Sequence, residues 1–172
     1  MVLSKDEITQ AGIFFDAALT EKQRQPAGVD LTAMAIERIV GAGWLGLLAT
    51  ELPSRELITP RDRVMAGEER RVWELGPGHY LIHYAETVQI PLDAIAYTQP
   101  RSSLLRMGVT LHGAVWDPGY CGQGVGLLVV HNPQGAFIVE RARVAQMVFH
   151  RLGTPVEDGY TGQYQGEGID AA

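Results

Sequence analysis

From Tyr80 onward the chain divides into short β-rich pieces separated by Pro, Gly and Asn, and no stretch of helical period falls between them. The pieces are residues 79–90 (HYLIHYAETVQI), Tyr97–Thr98, Val109–Val115, Val125–Val130, Phe137–Val139 and Ala145–Leu152. β-Branched and aromatic residues fill them, and Asn132-Pro133-Gln134-Gly135 reads as a tight turn between two of them. A parallel sheet needs a long crossover, usually helical, between successive strands. Without such crossovers the pattern predicts a mainly all-β sandwich, jelly roll or barrel.

The first third is less regular. Ser4-Lys5-Asp6-Glu7 before Ile8 has the form of a capping box, which predicts a short N-terminal helix. Pro26 and Gly28 end that region. Val29–Thr32 reads as strand, and the pattern from there to Ile39 fits strand or helix. Residues 41–70 mix Gly, Pro53, Pro60 and scattered charges without a period. After Pro155 the sequence turns Gly-rich and poor in aliphatics, ending GYTGQYQGEGIDAA. Such a tail has no core of its own and is ordered only by what it covers. The expected division is a β domain over 1–155 and a flexible arm over 156–172.

With 172 residues, 46% hydrophobic and 20% charged, the chain can bury a sizeable single core. A formal charge of −6 argues against a surface built for nucleic acid or an anionic membrane. A local Arg cluster can still bind a small phosphorylated molecule. The single cysteine, Cys121, excludes an internal disulfide framework and a multi-cysteine zinc site. No apolar run has the form of a signal peptide or a membrane span, so a cytoplasmic location is expected.

Four clusters bear chemistry. Arg101, Ser102 and Ser103 offer a guanidinium and two hydroxyls to phosphate, although the same run reads as a capped turn after Pro100. Asp117, in the turn Trp116-Asp117-Pro118-Gly119-Tyr120, can orient a water, or can simply close the turn on its own backbone. Asp30 in Ala27-Gly28-Val29-Asp30-Leu31 can serve a hydrated magnesium ion, which needs few protein ligands, or can close a turn entering a strand. Arg143 and Gln146 add a cation and an amide to a strand otherwise made of Val, Met and Phe. Alternation puts them on opposite faces unless a bulge intervenes. The run GQGVG at 122–126 lacks the following helix that a phosphate loop needs. His79 and His83 fall on a strand pattern, so their i, i+4 spacing makes no metal pair.

Taken in order, Ala-Gly-x-Asp-Leu, Pro-Arg-Ser-Ser, Asp-Pro-Gly-Tyr-x-Gly, Arg-x-Ala-Gln-x-x-Phe and a Gly-rich aromatic tail resemble the five motifs of the superfamily of trimeric dUTP pyrophosphatases and dCTP deaminases. The early Leu3-Ser4 with Ile8, and Tyr160-Thr161-Gly162-Gln163-Tyr164-Gln165-Gly166, are similar to its dCTP deaminase-like branch, which includes archaeal dUTP pyrophosphatases. The resemblance covers residues 1–32 and 76–168. It implies a distorted jelly roll and a homotrimer with active sites between subunits. It further implies that Asp117 positions water at the α-phosphorus, and that Arg101, Ser102, Ser103, Arg106 and Gln146 contact the substrate. By the same resemblance Tyr120 lies under the deoxyribose, Asp30 supports magnesium, and the tail with Tyr160, Tyr164 and Gln165 closes over the nucleotide.

The deaminase branch also uses a Glu on the strand after the Asp-Pro-Gly turn. Counting back from Asn132 that place falls at Val129, and counting forward from Asp117 it falls at Leu127. The resemblance therefore implies a magnesium-dependent enzyme taking dUTP to dUMP and pyrophosphate. A dCTP deaminase or bifunctional enzyme stands as the alternative, and a non-catalytic nucleotide-binding trimer as the alternative of another class. Thr161 stands where an Arg is common, and Asp117 to Asn132 runs about two residues longer than the family pattern.

Overall fold

The computed structural model describes residues 1–14 and 19–169. It opens with helix α1 (Lys5–Gln10), started by the expected capping box. The Ser4 hydroxyl accepts from the Glu7 amide, and the Glu7 carboxylate accepts from the Ser4 amide at 2.8 Å. Strands β1 (Arg24–Gln25), β2 (Gly28–Val40), β3 (Trp44–Leu45), β4 (Thr50–Glu51) and β5 (Ser54–Leu57) follow. Next come β6 (Arg61–Met65), β7 (Glu68–Leu75), β8 (Gly78–Tyr84), β9 (Val88–Gln89) and β10 (Ala94–Pro100). A second helix, α2 (Ser102–Arg106), leads into β11 (Val109–His112), β12 (Cys121–Gly122), β13 (Val125–Val130), β14 (Ala136–Val139) and β15 (Arg143–Arg151).

The principal sheet runs β10-β15-β2-β8-β13-β11, every neighbour antiparallel. It curls until its ends meet: Trp116, just past β11, exchanges backbone hydrogen bonds of 3.0 Å with Ala96 of β10. The thirteen-residue β2 makes the corner. Its first half pairs with β15, its second half with β8 and β5, and the register shifts between Ala33 and Ala35. A bulge there bends one strand into two sheet directions, which is how a distorted jelly roll turns. The all-β expectation holds. The segment from Val29 is strand throughout, and α2 is a helix that the sequence pattern did not signal.

The inward residues form one core. Leu31, Ile36, Ile82, Tyr84, Leu128 and Phe149 are fully buried, and Trp73 reaches it from β7, its indole N–H donating to the Ile58 carbonyl at 2.9 Å. Residues 41–70, unreadable from pattern, are β3 to β6 and the start of β7. Their side chains are exposed almost throughout, so no burial alternation marks them as strands.

Candidate active site

The outward face of the sheet is not uniformly polar. Period-two alternation turns Leu81 of β8, Val125 and Leu127 of β13 and Ile39 of β2 away from the core, and the ladder sets Leu81 directly between Glu37 and Leu127. These four floor a cavity of about 760 Å³. One wall is the segment 113–117, which leaves the β11–β13 ladder after His112. Tyr160, Tyr164 and Glu167 of the tail line the cavity as well, with Leu52, Pro53 and Arg55. An apolar floor with a few polar groups around it is the form of a small-molecule pocket.

Asp117 stands at the mouth, exposed and lining the cavity. Its turn is closed by the main chain: the Tyr120 amide donates to the Asp117 carbonyl at 3.1 Å. The side chain is thus not spent on an Asx turn, and its carboxylate takes no protein hydrogen bond among the described residues. Beneath the turn runs an aromatic row. Tyr84 packs on Trp116 (6.2 Å between centroids), Trp116 on Tyr120 (5.4 Å) and Tyr120 on Tyr160 of the tail (5.7 Å). Burial pushes the Tyr120 phenol well above the ordinary tyrosine range, so it stays protonated.

The tail is docked on this turn. The Tyr160 amide donates to the Pro118 carbonyl at 2.7 Å, and the Gly166 amide to the Cys121 carbonyl at 2.9 Å. Gln165 acts as a double anchor: its Oε1 accepts from the Cys121 amide and its Nε2 donates to the Gly119 carbonyl, both at 3.0 Å. Tyr160 and Tyr164 line the cavity.

The remaining predicted residues gather elsewhere. Asp30, with 1% of its side chain exposed, accepts from Arg143 at 3.0 Å and sits 3.2 Å from Nε of Arg101. Burial raises its pKa, and the two guanidiniums oppose that shift. Gln146 stands across the ladder from Asp30. The bulge between Arg143 and Ala145 puts Arg143 and Gln146 opposite Thr32 and Asp30, two residues apart on β2, and therefore on one face. Ser102 and Ser103 form the exposed first turn of α2, and the Arg106 guanidinium folds back on the Ser102 carbonyl at 3.0 Å. None of Asp30, Arg101, Ser102, Ser103, Arg106 and Gln146 lines the cavity that holds Asp117. Within one chain the two halves of the predicted site stay apart.

Leu127 lies on the cavity floor, and Val129 is on the same outward side of β13, so neither counting puts an acid there. Two charged cavity residues escaped the sequence reading, Arg55 and Glu167. Arg55 is one charge in an exposed strand, and Glu167 one charge in a Gly-rich tail. The readable signal was the floor itself, since adjacent apolar residues such as Leu81-Ile82 and Leu127-Leu128 must turn one member outward.

A curled antiparallel sheet carrying an apolar pocket, an exposed carboxylate at its mouth and a docked aromatic tail defines a nucleotide-sized binding site. The chain belongs to the dCTP deaminase-like family, whose model matches residues 2–152. A relative in Aeropyrum pernix, named a probable deoxyuridine 5'-triphosphate nucleotidohydrolase, is 44% identical over 84% of this chain and 86% of its own length. One of the same name in Archaeoglobus fulgidus is 38% identical over 99% of both chains. The fold is also that of the 2'-deoxycytidine 5'-triphosphate deaminase from Agrobacterium tumefaciens. That match has a TM-score of 0.62 and 20% identity, and it covers 88% of this chain and 46% of that one.

Proposed function

We propose that this hydrolase cleaves dUTP to dUMP and pyrophosphate, working as a homotrimer whose sites are shared between subunits. The observation that carries the reading is Asp117, a carboxylate free of its own turn at the mouth of an apolar pocket. The names of relatives matched over nearly the full chain support the substrate.

The deoxyuridine moiety lies on Leu81, Val125 and Leu127 with its sugar against Tyr120. Asp117 holds a water in line with the α-phosphorus and takes up its proton as the new P–O bond forms. The bond from the α-phosphorus to the bridging oxygen breaks, and pyrophosphate leaves. Such chemistry asks the protein mainly for positioning and charge neutralisation. Arg101, Ser102, Ser103, Arg106 and Gln146 supply phosphate contacts from a neighbouring subunit, because within one chain they do not line this cavity. Magnesium, when bound, neutralises charge on the phosphate oxygens. Asp30 is buried and already taken by two guanidiniums, so it would support such an ion by holding Arg101 and Arg143 in place rather than by ligating it. A cytoplasmic enzyme that binds neither nucleic acid nor membrane completes the reading. No helix among the described residues is long and apolar enough to cross a membrane.

Deamination of dCTP needs a base on β13 to activate water at the ring, and that strand holds none. The test is a parallel assay with dUTP and dCTP, with and without magnesium, following pyrophosphate and ammonia. Pyrophosphate from dUTP with no ammonia from dCTP is expected, and ammonia release would transfer the chain to the deaminases. Asp117→Asn is expected to keep dUTP affinity within a few-fold while turnover falls about a thousandfold, the range for loss of a general base. Near wild-type turnover would remove Asp117 from its role.

A further inference from the structure

At the rim of the cavity, Glu37, His83 and Arg55 form a cluster on three neighbouring strands, and Arg55 itself lines the cavity. Glu37 of β2 accepts from or pairs with His83 Nε2 of β8 at 2.8 Å, and its same oxygen lies 3.7 Å from Arg55 of β5. All three are on the outward face. The ladder pairs His83 with Ala35 and Arg55 with Ile39, the residues two positions either side of Glu37. The side chains of His83 and Arg55 are about one-third exposed, so both are open to a further partner.

The tail brings a carboxylate, Glu167, to the same cavity. The Glu167 carbonyl accepts from the Gln123 amide at 2.7 Å, which pins this residue against the turn after β12, and its side chain lines the same cavity as Arg55. We propose that Glu37, His83 and Arg55 form a socket for Glu167, making Glu167 a positioning residue that holds Tyr164 and Gln165 over the pocket. Its consequence for turnover rests on the function proposed above, whereas the latch itself does not.

The latch depends on pH through Glu167, whose carboxyl burial lifts above its ordinary value while His83 and Arg55 pull the other way. The other titratable groups lining the same cavity are Tyr120, which burial keeps protonated, His112, Tyr160, Tyr164 and Asp117. A pKa that is higher in the docked tail than in the free one favours docking at low pH. Docking then weakens as pH rises through the docked value. The tail is therefore held more tightly in acid.

The experiment is amide exchange of residues 164–168 in the nucleotide-free protein, corrected for intrinsic exchange and followed from pH 5.5 to 8. Protection is expected to fall about tenfold over that range in the wild type, the scale of one charge-assisted contact. Glu167→Gln should flatten the profile, and Arg55→Glu should lower protection throughout. The charge-swapped double variant Arg55→Glu with Glu167→Arg should restore it. Equal melting temperatures establish that all four chains are folded. Identical profiles for wild type and Glu167→Gln, or a double variant no better protected than Arg55→Glu alone, would overturn the latch. The result stands whether or not dUTP is turned over. In the active enzyme the wild type's KM for dUTP should rise with pH, and Glu167→Gln should flatten that rise.

Discussion

Asp30 shows how a motif residue does its work at one remove from chemistry. Its single carboxylate holds Arg101 and Arg143, which come from two separate elements, so it fixes the ends of β10 and β15 relative to β2. Removing one member of a buried ionic cluster leaves the others uncompensated, at about 3–5 kcal/mol. Asp30→Ala is therefore expected to lose that much in urea unfolding even without magnesium or nucleotide. A loss under 1 kcal/mol would show that the arginines find water instead. Gly124 makes a second case. A Cβ there would overlap the Trp116 ring, which supports the turn of Asp117. Gly124→Ala is expected to displace that ring and cost about 1–3 kcal/mol, as overpacking does. The check is a melt alongside the change in dUTP affinity.

At the scale of elements, legibility followed burial. Helix α1 could be read because its capping box is local, and β13 because its apolar run is unbroken. Strands β3 to β6 escaped because their side chains face solvent, and an exposed strand carries no period. Helix α2 is one turn long, too short to show a repeat. The bulge that puts Arg143 and Gln146 on one face is decided by pairing with β2, which neither residue announces. For the site, Asp117, Tyr120, Tyr160 and Tyr164 all fall on one cavity. Arg55 and Glu167 came to light only when β5 and the tail were brought to the same place by long-range contacts. The excursion at 41–70 thus gains a role, since it carries Arg55 to the rim of the pocket.

At the scale of the whole molecule, the separation of the two residue clusters makes a statement about assembly. If sites are shared, Asp117→Asn and Arg106→Ala damage different subunits of each site. Each variant alone should be inactive or nearly so. Mixed after unfolding and refolding together, equal amounts should recover up to about a quarter of wild-type activity, the fraction of sites that draw both intact residues by chance in a closed ring. Recovery no greater than the sum of the separate variants would place both residues in one subunit's site.

The aromatic row from Tyr84 through Trp116 and Tyr120 to Tyr160 also has an optical consequence. Trp116 is the tryptophan next to the tail, while Trp73 is sealed in the core and Trp44 lies out on β3. When Tyr160 lifts away, Trp116 loses a nearby donor of excitation and gains water, so its emission should dim and shift to the red. The molecule thereby carries an intrinsic fluorophore at its own gate, and opening and closing can be timed without adding a label.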